Sequence, residues 1–245
     1  MPNSFTFIPD GVTDCLVQAY TQETCQSDAL LPSVVICPGG AYFDLCEREQ
    51  FPVAQAFLAA GYHVFILKYS LKEDAKDFKP MCQLSAAISH IRRNAREWMA
   101  APDKIAVCGF SAGGHLALSS GLLADNKPNA MILGYPATSC PNVPGADFML
   151  KLLEGKAQVT DEDARKYDLP SQVTKAAPPM FVAATAEDVL TSFCTIPLVN
   201  AYNSLGLKYE LHIFQYGPHG YSLANEVTAD GSSQVIDPAF AQWQE

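Results

Sequence analysis

Three side chains in this sequence have the types and the order needed for nucleophilic catalysis: Ser111, Asp188 and His219. Ser111 is the centre of Gly109-Phe110-Ser111-Ala112-Gly113, a G-x-S-x-G spelling that continues into Gly114-His115. A neutral hydroxyl is a weak nucleophile and needs a base to take its proton. His219, in Gly217-Pro218-His219-Gly220, is read as that base, and Asp188 as the carboxylate that fixes the ring tautomer and stabilises the imidazolium. Nucleophile, acid, histidine is one of the chain orders such triads take. The acid has two adjacent candidates. Asp188 is favoured because it begins the loop and has the shorter side chain; Glu187 stays as the alternative. Of the other histidines, His63 and His90 precede the serine, His212 lies inside an apolar strand pattern, and His115 is one helical turn past Ser111, where it would support the turn.

The same chemistry needs donors for the negative charge that grows on an attacked carbonyl oxygen. Ala112 follows the serine at a helix start, where its N–H is free and the helix dipole favours an anion. A second donor belongs on Pro38-Gly39-Gly40-Ala41-Tyr42, whose glycines let backbone amides approach a ligand closely. Ala41 and Tyr42 are expected to touch the substrate there. No cofactor or metal is expected. The eight cysteines are scattered, without a C-x-x-C pair or a metal-like spacing to histidine.

The elements that must carry these residues read as alternating strands and helices. Lys104–Cys108 is an apolar, β-branched strand running into Ser111, and a helix follows it; Gly109 and Gly113 are required because a Cβ would clash where the helix doubles back. Ser4–Ile8 and Cys15–Tyr20 read as an antiparallel start, and Leu31–Cys37 as a buried strand. Glu47–Ala60 reads as a helix, Tyr62–Tyr69 as a strand with His63 packed inside it, and Met81–Met99 as a longer helix. Ala130–Pro136, Pro179–Thr185 and Lys208–Phe214 complete the strands, with a helix over Phe193–Leu205 and a closing helix over Asp237–Gln244. The pattern predicts an α/β architecture, a mostly parallel sheet of about eight strands flanked by helices, in which functional residues gather at the strands' C-terminal ends. Residues 137–177, with Pro141, Pro144, Gly155, Pro170 and Asp161-Glu162-Asp163, break the rhythm and read as a small cap or lid insertion within one domain spanning 1–245.

With 245 residues, 49% of them hydrophobic, one sizeable core is available. The formal net charge of −10 excludes nucleic acid and anionic membrane as expected partners. No stretch has the roughly 18 apolar residues of a membrane helix. The start, Met1-Pro2-Asn3-Ser4-Phe5, has no basic region followed by an apolar run, so a cytoplasmic location is expected, and free cysteines fit it. A homo-oligomer is compatible with the sequence.

Cys37-Pro38-Gly39-Gly40-Ala41-Tyr42, Phe51-Pro52-Val53-Ala54 leading to Gly61-Tyr62, Lys68-Tyr69-Ser70-Leu71, Gly109 to His115, Gly134-Tyr135-Pro136, Pro179-Met180-Phe181 leading to Glu187-Asp188, and Gly217-Pro218-His219-Gly220 occur in order along nearly the whole chain. In these stretches the sequence resembles the α/β-hydrolase family of small bacterial esterases and acetyl-xylan-esterase-like proteins, related to the hormone-sensitive-lipase and dienelactone-hydrolase branches. The resemblance implies an α/β-hydrolase fold. It implies a triad of Ser111, Asp188 and His219, with an oxyanion hole at Gly40 and Ala112, joined by Gly39. It also implies a metal-independent serine esterase that cleaves short acyl esters through an acyl-enzyme, with acetylated xylo-oligosaccharides as substrates. The chain departs from the pattern at Pro38, where the lipase branch has a histidine, at Ala41 in place of a third glycine, and at Thr191-Ser192, where relatives often have Val-Pro. A peptidase of prolyl-oligopeptidase type and a non-catalytic binding protein are the competing readings.

Overall fold

The computed structural model describes residues 3–25, 29–229 and 236–244. Residues 1–2, 26–28, 230–235 and 245, which the single-domain expectation includes, lie outside the described residues. The eight strands are β1 (Asn3–Phe7), β2 (Leu16–Thr21), β3 (Leu31–Cys37), β4 (His63–Lys68), β5 (Ala100–Phe110), β6 (Ala130–Gly134), β7 (Met180–Thr185) and β8 (Tyr209–Phe214). They form one sheet in the order β1-β2-β4-β3-β5-β6-β7-β8. β1 and β2 pair antiparallel, as does β2 with β4, and every other neighbouring pair is parallel. Strands buried on both faces must be apolar on both. β3 shows why its sequence is a continuous apolar run. Val34 and Ile36 pack on one side with Val64, Ile66 and Phe110, and Val35 and Cys37 on the other with Phe65, Leu67 and Val107. β8 differs. It is an edge strand whose Tyr209, Glu210, His212 and Ile213 are exposed.

The helices are α1 (Phe51–Ala59), α2 (Lys79–Arg93), α3 (Ala112–Leu123), α4 (Asp147–Glu154), α5 (Asp161–Arg165) and α6 (Ile196–Ser204). α1 covers one face of the sheet through Val53 and Ala54, together with Phe240 and Trp243 from the C-terminal segment. α2 covers the other face through Leu84, Ala87, Ile88 and Ile91. α3 is buried from Ala112 to Leu122, which is why its apolar and small residues run all round rather than on a stripe, with His115, Ser119 and Ser120 buried among them.

Four expected helices differ in their bounds, three of them for a local reason. The helix expected over Glu47–Ala60 divides into a 3-10 turn at Glu47–Glu49 and α1, because Pro52 cannot donate within a helix and therefore sits in its first turn. α2 begins earlier than Met81, after the left-handed Phe78 with Pro80 in its first turn, and stops at Arg93; Trp98 follows in a turn and packs on Phe5 and Phe7 of β1. The helix expected from Phe193 starts as a π-turn over Thr191–Thr195 and becomes α6 at Ile196, where Pro197 removes one backbone donor. The closing helix is a 3-10 turn over Phe240–Gln244. Between β6 and β7 lie α4, α5 and two 3-10 turns, as short as the proline-broken sequence requires. Among the described residues no helix is long and apolar enough to cross a membrane, and the cysteines are unpaired.

Candidate active site

β5 ends at Phe110 and α3 begins at Ala112, so Ser111 occupies the whole turn between them. Its φ of 51° and ψ of −117° are strained for a residue with a side chain, at about 1–3 kcal/mol. The strain persists because the flanking glycines let the elements close up. A Cβ on Gly109 would lie 2.2 Å from the Gly113 carbonyl oxygen, and one on Gly113 would lie 2.0 Å from that of Cys37. A Cβ on Gly114 would likewise lie 2.7 Å from the Pro136 Cβ. The turn is pinned through its backbone as well. Ser111 N–H donates to the Gly134 carbonyl at 3.0 Å, and the Ser111 carbonyl accepts from His115 and Ala137.

The structure brings together the three side chains singled out in the sequence. Ser111 Oγ and His219 Nε2 are 2.8 Å apart, and His219 Nδ1 and Asp188 Oδ2 are 2.7 Å apart. A carboxylate only accepts, so Nδ1 carries the proton and the neutral ring leaves Nε2 to accept from the serine hydroxyl. Asp188 is 3% exposed, and its other oxygen accepts from the Leu190 N–H at 2.9 Å. Glu187 turns elsewhere and accepts the Gly217 N–H at 2.8 Å. Thr185 Oγ1 donates to the Gly217 carbonyl at 2.6 Å, tying the end of β7 to the histidine loop.

The 39–46 loop corrects two expectations. Gly39 N–H is not free for a substrate oxygen, because it donates to Glu49 Oε2 at 2.6 Å. The Gly39 carbonyl accepts from Cys46 N–H, and the Gly40 carbonyl from Phe43 and Asp44 N–H. A trans peptide sets its N–H opposite its carbonyl, so the N–H groups of Gly40 and Ala41 are turned out of this loop. Among the described residues neither they nor the Ala112 N–H have a hydrogen-bond partner. Tyr42, expected at the substrate surface, is instead 2% exposed, with its hydroxyl hydrogen-bonded to His115 Nδ1 at 2.9 Å. Gly40 has φ +129°, and a Cβ there would meet the Asp44 carbonyl at 2.1 Å, which explains its glycine.

Glu49 and Tyr135 adjoin the site and are not among the expected site residues, although Tyr135 lies in the Gly134-Tyr135-Pro136 stretch. Glu49 is 2% exposed, with Oε1 accepting from the Tyr135 hydroxyl at 2.7 Å. Burial pushes its carboxyl up, and the hydrogen bonds from Tyr135 and Gly39 act in the opposite direction. Tyr135, at φ +36°, sets its ring edge-on to His219 at 5.1 Å. His115 is held neutral, pushed down to about 4 by burial. His63 is the packed strand histidine expected: Nδ1 accepts from Gln22 N–H at 3.0 Å, and Nε2 lies 3.1 Å from the Met99 carbonyl.

A cavity of about 290 Å³ opens over Ser111, Asp188 and His219, walled by Ala137, Cys140, Val143, Ala146, Phe148, Met149, Val189 and Leu190. Its walls come from the 137–177 segment and the loop after β7, and outside the triad they are apolar. Larger hollows occur near Trp98 and beside α5, about 480 and 530 Å³, but neither contains a nucleophile paired with a base. Among the described residues, no three His, Cys, Asp or Glu side chains are placed to hold a metal ion. The arrangement can take the proton from Ser111, hold the imidazolium that results, and receive an apolar group beside the nucleophile.

Comparison with known proteins agrees with this fold. The BD-FAE family profile matches residues 19–143. The curated relatives include endo-1,4-beta-xylanase B of Butyrivibrio fibrisolvens, 30% identical over 222 residues, covering 82% of this chain and 34% of that protein. Acetylxylan esterase of Xylanibacter ruminicola is 26% identical over 196 residues, covering 77% of this chain and 41% of its own. The chain thus spans well under half the length of these curated relatives. Solved structures are closer in size. An α/β hydrolase enzyme from a Medee basin deep-sea metagenome library, MGS-M1, is 31% identical with a TM-score of 0.83, covering 99% of this chain and 93% of that one. The carboxylesterase Cest-2923 from Lactobacillus plantarum is 27% identical with a TM-score of 0.85, covering 99% and 94%.

Proposed function

The chain belongs to the BD-FAE family of α/β hydrolases, and on that premise we propose that it is a serine carboxylesterase acting on short-chain acyl esters through an acyl-enzyme. The observation that carries the reading is the hydrogen-bonded line Ser111–His219–Asp188 at 2.8 and 2.7 Å, opening on an apolar cavity. In this reading Ser111 Oγ attacks the ester carbonyl as His219 takes its proton. The N–H groups of Gly40, Ala41 and Ala112 receive the oxyanion, and His219 then protonates the leaving alcohol and activates water to release the acid. Asp188 holds the ring and stabilises its charged form.

The apolar walls suit the acyl chain, which places the alcohol at the open side. Acetyl groups on xylo-oligosaccharides fit such an arrangement, since the sugar need not enter the cavity. The names of the curated relatives, a xylanase and an acetylxylan esterase, point to the same substrate class. The 137–177 segment acts as the cap that shapes entry, and no metal or cofactor takes part.

The test is hydrolysis of p-nitrophenyl acetate, butyrate and octanoate by the wild type and by Ser111→Ala, with acetylated xylo-oligosaccharides assayed beside them. Turnover on acetate that fades with chain length and drops about 10⁴-fold or more in the variant is expected. Hydrolysis untouched by the substitution would show that Ser111 is not the nucleophile.

A further inference from the structure

Burying a carboxylate is costly unless its hydrogen bonds are made, and this fold buries Glu49 beside the nucleophile. A Cβ built on Gly39 would lie 2.8 Å from Glu49 Oε2 and 3.0 Å from Ser111 Cβ, so the Glu49–Gly39 bond is adjacent to the serine. That bond of 2.6 Å fixes the first peptide of the 39–46 loop. The following carbonyls are held within the loop, and the outward direction of the Gly40 and Ala41 N–H groups follows from that hold. Through its other oxygen Glu49 takes the Tyr135 hydroxyl at 2.7 Å, and that hydroxyl takes the Ser222 N–H at 2.7 Å, three residues beyond His219. Ser222 Oγ returns to the Arg48 carbonyl at 2.7 Å, closing the loop of contacts one residue from Glu49.

We infer that Glu49 is a positioning residue, which locks the loop carrying the oxyanion donors to the segment carrying His219, so that donors and base meet the same substrate atom set. The inference rests on the esterase reading above. A group that aims oxyanion donors acts in the transition state rather than on substrate binding, so its loss should appear in kcat.

The test compares Glu49→Ala and Glu49→Gln with wild type and Ser111→Ala on p-nitrophenyl acetate, with thermal unfolding followed alongside. Glu49→Ala should lower kcat about 10²–10³-fold, the cost of a lost oxyanion donor, with KM changed by less than about threefold. Glu49→Gln keeps an oxygen for the Gly39 N–H and should stay within about tenfold of wild type. Should Glu49→Ala fail to fold, Glu49→Met, which fills the space without a strong acceptor, is read in its place. Ser111-dependent hydrolysis that survives in the Ala or Met variant, a loss confined to KM, or a Gln variant as poor as Ala each overturn the inference and leave the esterase reading standing. Absence of any Ser111-dependent hydrolysis in the wild type instead removes the esterase reading. The rate of phosphonylation of Ser111 by a fluorophosphonate, in which Oγ displaces fluoride and the phosphoryl oxygen needs the same donors, then decides. Slower labelling in Glu49→Ala with recovery in Glu49→Gln supports the positioning role, and equal labelling or none overturns it.

Discussion

His219 Nδ1 lies 2.7 Å from Asp188 Oδ2, while Glu187, the residue next to Asp188, accepts a backbone N–H from Gly217 in the same loop. Two adjacent carboxylates therefore have separate work, one on the ring and one on the backbone beneath it. Asp188→Asn should lower kcat by about 10⁴-fold, because an amide can present a donor to Nδ1 and favour the wrong tautomer. Glu187→Gln retains an acceptor for Gly217 and should cost less than about tenfold. Steady-state kinetics of the two variants on one ester separates the roles; equal losses would contradict the division.

The turn at Ser111 makes a prediction about stability rather than rate. Its φ of 51° is accessible to glycine at little cost. Ser111→Gly should raise the unfolding free energy by about 1 kcal/mol while eliminating turnover, whereas Ser111→Ala should leave stability nearly unchanged. Urea titrations of the three proteins would show the order, and a Gly variant less stable than wild type would mean the turn is not strained.

Gly113 allows the opposite test. A methyl group there would sit 2.0 Å from the Cys37 carbonyl oxygen, and neither β3 nor α3 can move without breaking sheet or core contacts. Gly113→Ala should destabilise by about 3 kcal/mol or more, in the range of severe overpacking. The measurement is the urea midpoint, with loss of soluble protein as the extreme result. Gly11→Ala, where φ is +80° and a Cβ would meet nothing within 4 Å, measures the separate cost of a left-handed backbone without a clash and should be the milder change.

His115 gives a pH dependence with a defined sign. Burial pushes its pKa from 6.5 down to about 4. Between those values the unfolded chain holds the proton and the folded one does not, so stability from this group falls as pH drops from about 6.5 to about 4 and is level below. The full loss is about 3 kcal/mol. Unfolding of wild type and His115→Leu at pH 7, 5.5 and 4.5 should show their difference changing with pH in that direction; a constant difference would mean the ring titrates normally.

How much of this was legible in the sequence follows from how local each signal is. Ser111 and its glycines are consecutive, and each glycine answers a clash within a few residues or with the facing strand end, so the elbow reads directly. His219 stands out because Gly217-Pro218 and Gly220 isolate it at the end of the last strand. The occupied N–H of Gly39 does not read, since its partner Glu49 lies ten positions on in what looks like the start of a helix. Tyr42 misleads for a similar reason. It follows the glycines in the chain, but its ring turns back beneath α3 to meet His115. The cavity walls from Val143 to Met149 look like any proline-broken connection until the fold lays them over the serine.

β8 is one edge of the sheet, with β1 at the other, and His219 follows it in the chain, whereas Ser111 directly follows the central β5, between β3 and β6. Edge elements fray at lower free energy than central ones. On the esterase reading, warming should therefore release His219 while Ser111 keeps its place, so that ester hydrolysis fades several degrees before the ellipticity of the bulk fold changes and returns on cooling; loss of both at one temperature would contradict this. If hydrolysis and ellipticity part in that way, stabilising substitutions should begin at β8 rather than at the Ser111 turn.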